Sequence, residues 1–170
     1  GRVARRLSQG QSTLRRRNSL GGGPNPFNLR RFTEAQKTCF DCALREIQNG
    51  KKSSCWMWYV FPTPPFIVDG VERGSGHNRK YALRSEEEGH AFLTFQADGM
   101  DLRGNYLEIM TAVRDQLRAG ARPTTLVGSF DDPKLRSSAL FFERIARTAD
   151  QELHDVILEV LELLGEQPAP

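Results

Sequence analysis

The chain has no apolar run long enough to span a membrane as a helix. Its longest, the six residues Trp56 to Phe61, falls far short of the roughly 18 consecutive apolar residues that a span requires. Cysteine is scarce and odd in number: Cys39, Cys42 and Cys55 do not divide into a disulfide framework, and no apolar signal-peptide core stands ahead of them. A reducing compartment is therefore expected. The cytoplasm is the first choice, and a mitochondrion or plastid is the alternative, because the Arg- and Ser-rich, acid-free start has the composition of a transit peptide. Gly-x-x-x-x-Gly-Lys, Gly-x-Gly-x-x-Gly and Gly-x-Ser-x-Gly are all missing, which removes support for nucleotide loops and esterase elbows. No segment alternates convincingly with period two and no internal repeat is visible, so large sheets and solenoids are not expected.

What is present fits one globular unit. Of 170 residues, 38% are hydrophobic and 26% charged, enough for one real core, and a second domain is not expected. The net charge of +3 hides an asymmetry: residues 1–27 carry six arginines and no acid, leaving 18 basic against 21 acidic residues in the remainder. An acidic body argues against a specific nucleic-acid groove, and any attraction to phosphates belongs to the tail around Arg15, Arg16 and Arg17. Residues 1–26 contain only Val3, Leu7, Leu14 and Leu20 as aliphatics larger than alanine, too little apolar surface to offset the entropy of ordering. They read as a disordered basic tail closing in a Gly-Pro linker, followed by a mainly helical globular domain over residues 27–166.

Helical periodicity dominates that domain. Leu29, Phe32, Phe40, Ala43, Leu44 and Ile47 recur at three- and four-residue spacing, with Asn28 or Thr33 available as caps and Gly50 as the stop. Trp56 to Phe61 reads as a short buried helix, with a buried strand as the alternative. Residues 62–78, rich in Pro and Gly, read as a long loop. Ser85 and Glu88 form a capping box before Ala91, Phe92 and Phe95. Leu102, Tyr106, Ile109, Met110, Val113 and Leu117 make a further stripe. Asp132 as cap with Pro133 opens a helix that buries Leu135, Phe142, Ile145 and Ala149, and Leu153 to Leu164 form the last stripe before Gly165. The fold class is all-α or mainly α, a compact single-domain bundle of several helices packed orthogonally.

Three segments carry a family pattern. They are Phe27, Asn28, Leu29, Arg31, Phe32, Ala35 and Gln36; Ser54, Trp56, Met57, Trp58, Phe61 and Pro62; and Gly128, Asp131, Asp132, Lys134, Leu135, Ser137, Ser138 and Phe142, with a fainter match at Ser75, Tyr81 and Ala82. Together they resemble the bacterial family known as domain of unknown function 1810, sometimes labelled calpastatin-like. The resemblance implies a compact, mainly helical fold and carries no catalytic set. The chain departs from the family pattern at Cys55, where His is usual, at Thr63, where Gln is usual, and at Ala139-Leu140, where Met-Thr is usual.

The candidate ligand-binding residues are Asn28, Arg31, Trp56, Trp58, Ser75, Asp131, Asp132, Lys134, Ser137 and Ser138. Several are polar groups on helices whose other faces are apolar, so burying them requires mutual partners, and the three segments are expected to meet around one polar-lined pocket beneath the 62–78 loop. The expected occupant is a nucleotide- or sugar-like small molecule. A non-catalytic protein-interaction module is the alternative. Cys39 and Cys42 lie mid-helix, at spacings that match no zinc module, and read as structural thiols, so neither a metal nor a cofactor is expected. His90 and His154 read as solvated, whereas His77, beside Asn78 and Arg79, sits where a mobile loop could meet a ligand.

Arg5-Arg6-Leu7-Ser8 and Arg16-Arg17-Asn18-Ser19 each place two arginines ahead of a serine, the pattern that basic-directed kinases favour. Each phosphate adds about −1.5 to −2 charges, so two would cancel about half or more of the tail's positive charge. Incubation with such a kinase should yield phosphate on Ser8 or Ser19 by mass spectrometry, and a tail left unmodified would remove the idea.

Overall fold

A computed structural model describes residues 25–170. The expected tail over residues 1–26 therefore lies almost wholly outside the described residues. Eight helices and two small hairpins follow in order: α1 (Arg30–Gln48), α2 (Met57–Val60), β1 (Phe66–Val68), β2 (Val71–Arg73), α3 (Gly76–Tyr81), α4 (Glu86–Phe92), β3 (Gln96–Ala97), β4 (Met100–Asp101), α5 (Leu102–Arg118), α6 (Pro123–Leu126), α7 (Asp132–Ala149) and α8 (Gln151–Leu164). The architecture is mainly helical, as the periodicity predicts. No helix among the described residues is long and apolar enough to cross a membrane.

The apolar stripes set the packing. The face of α1 bearing Phe32, Phe40, Ala43 and Ile47 packs on α5, α5 packs on α8, and α8 on α7, while α2 leans on α1 and α4 on α7. Aromatic rings link these elements through the core. Trp56 meets Phe61 at 6.1 Å between ring centroids, Phe61 meets Tyr106 at 6.0 Å, and Tyr106 meets Phe142 at 4.6 Å. Phe142 meets Phe92 at 5.3 Å, Phe92 meets Phe32 at 5.1 Å, and Phe32 meets Tyr81 at 5.6 Å. Tilted and edge-on contacts of this kind add to the area that each ring buries.

Several local expectations need correcting. Residues 62–78 are not one loop. They contain the antiparallel pair β1–β2, with Phe66 opposite Arg73 and Val68 opposite Val71, and the first residues of α3. Asp69 and Gly70 at its tip both have positive φ, 50° and 75°, and Asp98 and Gly99 repeat this at 55° and 78° between β3 and β4. Two successive left-handed residues match the twist of a two-residue hairpin, which is why Asp-Gly serves there. His77 consequently lies on α3. The cap of α7 is Asp131, with Asp132 already helical, and Ala149 is exposed while Ala146 takes its place in the core. At the start of α1 neither Asn28 nor Thr33 caps. Asn25 Oδ1 accepts from the Leu29 N–H at 2.7 Å, and Asn28 has a φ of 51°.

Gly89 marks the closest approach of α4 to α7. A Cβ there would stand 2.2 Å from Ile145 Cδ1 and 2.8 Å from Phe141 Cζ, both on fully packed side chains. Gly89→Val should therefore destabilise through overpacking by about 1–3 kcal/mol, a fall of roughly 3–10 °C in melting temperature. Gly76→Ala, which meets nothing within 4 Å, serves as the neutral control in the same thermal scan.

Candidate functional site

The site grows from the turn between α1 and α2. Trp56 is buried, and its indole N–H donates to the carboxylate of Glu46 on α1. Ser53 and Ser54 donate to the same carboxylate at 2.7 and 2.6 Å. Burial alone would push the Glu46 carboxyl up, but donation by Ser54, Ser53 and Trp56 outweighs it and holds the group at about 2. With the turn pinned, Lys52 reaches Asp131 at 2.8 Å, and Asp131 also accepts Lys134 at 3.3 Å. The tryptophan segment and the Asp-Asp-x-Lys segment thus meet through one carboxylate shared by two ammonium groups.

Trp58 stands beside this pair. Lys134 Nζ lies 5.2 Å from its ring centroid, and the His77 ring lies 4.9 Å away. The Trp58 Nε1 is buried and has no hydrogen-bond partner in the protein, the single such side-chain atom among the described residues. Trp58, Phe61, Thr63, Asn78, Tyr81 and Lys134 line a cavity of about 10 Å³, the room one water needs. Thr63, Asn78 and Lys134 also line a cleft of about 510 Å³ whose other walls include Pro65, Phe66, Arg73, Phe130 and Ser137. The small cavity thus adjoins the cleft along these three residues.

Charge in the cleft is one-sided. Glu72 faces it, yet both its oxygens are taken by the Arg84 guanidinium at 2.9 Å, which holds its carboxyl below the usual range. Arg73 has no carboxylate within 4 Å among the described residues, and Lys134 shares Asp131 with Lys52. Phe66 and Phe130 are exposed at 63% and 92%, bare apolar walls at the mouth. A hollow of about 580 Å³ lies across Pro64, Pro133 and Ser137 from this cleft, but its Arg136 is spent on Asp132, Glu166 and the Leu164 carbonyl.

The expected residues divide. Lys134 and Ser137 line the cleft, Trp58 and Lys134 line the small cavity beside it, and Asp131 pairs with Lys134. Trp56 is buried in the core and lines neither space. Ser75 acts one step away, its hydroxyl capping α3 by accepting the Asn78 N–H at 3.3 Å. Asp132 is occupied by Arg136, and Ser138 is fully buried against Tyr106 Oη at 3.0 Å. Asn28 and Arg31 lie in a separate shallow hollow with Lys80, Arg84 and Glu88, where Arg31 donates to the Phe27, Asn28, Lys80 and Ala82 carbonyls and to Glu88. The single shared pocket expected for all three segments is thus built from two of them. Sequence reasoning missed Thr63, Phe66, Arg73, Asn78 and Phe130. Two of them had a signal, Asn78 as the neighbour of His77 and Thr63 as a departure from the family pattern.

The remaining reactive groups have other roles. Burial pushes the Cys39 thiol up to about 11, which makes it a poor nucleophile, and no three His, Cys, Asp or Glu side chains among the described residues are grouped to hold a metal ion. His154 is not solvated as expected: it lies 2.9 Å from Glu143, which Arg147 also grips.

Residues 26–163, most of the chain, match the family described as protein of unknown function (DUF1810). The chain belongs to that family. No curated protein matches it. Among solved structures, the DUF1810 fold here is similar to that of the conserved hypothetical protein Rv1873 from Mycobacterium tuberculosis, with a TM-score of 0.66 and 27% identity over 81% of this chain and 87% of that one.

The Glu46 anchor has a testable pH signature. A carboxyl lowered from 4.5 to about 2 contributes stability that is complete above pH 4.5 and is lost as the pH falls towards 2. In urea unfolding, the stability gap between wild type and Glu46→Gln should be widest from pH 5 to 7 and should shrink steadily below pH 4.5. A gap independent of pH would show that the charge of Glu46 is immaterial.

Proposed function

We propose that this protein binds a small anionic molecule carrying a planar ring, of nucleotide-like or sugar-like size, in the cleft between the β1–β2 hairpin and the first turns of α7. The observation that carries this reading is the buried Trp58 Nε1 without a protein partner, beside an ammonium group, at a small cavity adjoining an apolar-walled cleft. Buried polar atoms are satisfied almost everywhere in folded proteins, and the exceptions mark places where something else supplies the bond. A cleft of about 510 Å³ falls within the range of small-ligand sites. Arg73 and Lys134 favour an anion, while Phe66 and Phe130 offer faces to a ring. The carboxylates near the cleft are all engaged by cations, so the arrangement supports recognition rather than general-base chemistry.

A second reading rests on the hairpin itself. Phe66, Ile67, Val68 and Val71 are all exposed, and with Phe130 they offer an apolar surface to another protein.

A thermal-shift screen of adenosine monophosphate, ADP-ribose, sugar phosphates and common cofactors tests the first reading. A ligand at 100 times its dissociation constant stabilises by about 2.7 kcal/mol, a rise of roughly 5–10 °C. That rise should fall in Phe130→Ala. If no compound raises the melting temperature, and concentration-dependent association in light scattering disappears in Phe66→Ser and Phe130→Ser, the interaction reading replaces it.

A further inference from the structure

We infer that the small cavity adjoining the cleft is a subsite for one anionic oxygen, of a phosphate or a carboxylate, that accepts from Trp58 Nε1 in the field of Lys134 Nζ. The inference rests on the binding reading above and sharpens it. Size is the first argument: about 10 Å³ admits one oxygen atom and excludes a ring or a methylated group, so whatever enters does so tip first. Hydrogen-bonding character is the second. An indole N–H and an ammonium only donate, whereas the Asn78 amide can donate or accept. The Thr63 hydroxyl proton is already given to the Pro64 carbonyl at 3.0 Å. The Trp58 N–H and the Lys134 ammonium therefore both call for an accepting oxygen, and charge decides which kind.

Charge is the third argument and separates an anion from a neutral carbonyl. Lys52 and Lys134 share Asp131, Lys52 at 2.8 Å and Lys134 at the longer 3.3 Å, so the group of three carries one net positive charge, and Lys134 is the less firmly held. No carboxylate lines the cavity. Lys134 also sits in the first turn of the 18-residue α7, whose positive end adds to the same field. A bound anionic oxygen would satisfy the Trp58 N–H in the field of the Lys134 ammonium, which stands over the same ring.

The two tryptophans make the test specific. Trp56 Nε1 is bonded to Glu46 and Trp58 Nε1 has no protein partner, so the two indole N–H signals of a nitrogen-15 NMR spectrum provide a reporter and an internal reference. Trp58→Phe assigns them, by loss of one. The full chain is titrated with inorganic phosphate and with two matched pairs, adenosine monophosphate against adenosine and benzoate against benzyl alcohol.

The Trp58 signal should move downfield with the anionic members while the Trp56 signal stays. The anionic member of the better pair should bind at least tenfold more tightly than its neutral partner by calorimetry. In Lys134→Met, with the Trp56 signal unchanged as proof of folding, that preference should drop below about threefold. A response to the adenosine pair alone assigns the subsite to phosphate, and to the benzoate pair alone, to carboxylate. Neutral and anionic partners binding equally, with both signals still, would overturn the subsite and leave the binding reading standing. Both signals moving together would overturn it as well. No binding of any probe by the wild-type protein would overturn both.

Discussion

A tryptophan can be buried at low cost only if its N–H finds an acceptor, and in this protein Trp56 finds Glu46. The carboxylate gains in turn, because Ser53 and Ser54 complete its shell and let it stay charged in a half-buried corner. This cluster ties the end of α1 to the start of α2 and thereby directs everything downstream. It turns Lys52 towards Asp131, starts the chain of core rings with Trp56 against Phe61, and leaves Trp58, two residues on, at the junction of α2, α3 and α7.

The contrast between the two indoles gains force from how thoroughly the other buried polar groups are satisfied. Gln36 donates to the Tyr59 carbonyl at 2.8 Å and accepts from Asn105 at 2.9 Å, bridging α1, α2 and α5. Ser138 and Tyr106 pair inside the core, and Glu143 is shared by Arg147 and His154. Glu88 accepts from Arg31 and from the Arg84 N–H at 2.7 Å. A fold that meets these demands with side chains drawn from distant elements can satisfy an indole N–H. The Trp58 N–H, beside an ammonium and a cleft, stands apart from these satisfied groups.

The helices were legible in the sequence because burial on one face of a helix writes a repeat of three and four residues, and α1, α5, α7 and α8 all carry it. The hairpins were not read, although Asp69-Gly70 and Asp98-Gly99 are strong turn signals. Their strands are two or three residues long and largely exposed, too short for alternation to register. Half of the site was legible for a related reason. Trp58 and Lys134 belong to dense, distinctive segments, whereas Phe66, Arg73 and Phe130 reach the cleft only because the unread hairpin and the turn before α7 carry them there. Nor does composition reveal which way a polar residue is used. Ser137 and Ser138 are adjacent and alike, yet one helix step sends the first to the cleft and the second to the core.

Arg31 is linked through other side chains to a cleft that it does not reach. Its guanidinium donates to the Lys80 and Ala82 carbonyls, on either side of the end of α3, and to Glu88 at 2.8 Å on α4. Glu88 holds the backbone of Arg84, whose guanidinium grips Glu72 on the hairpin, and Arg79 donates to the Glu72 carbonyl at 3.2 Å. The hairpin that walls the cleft, and the helix that brings Asn78 to it, are thus tied back to α1 through alternating positive and negative groups. An exposed two-stranded hairpin is marginal on its own. These ties add to its own short ladder in keeping a wall opposite Lys134.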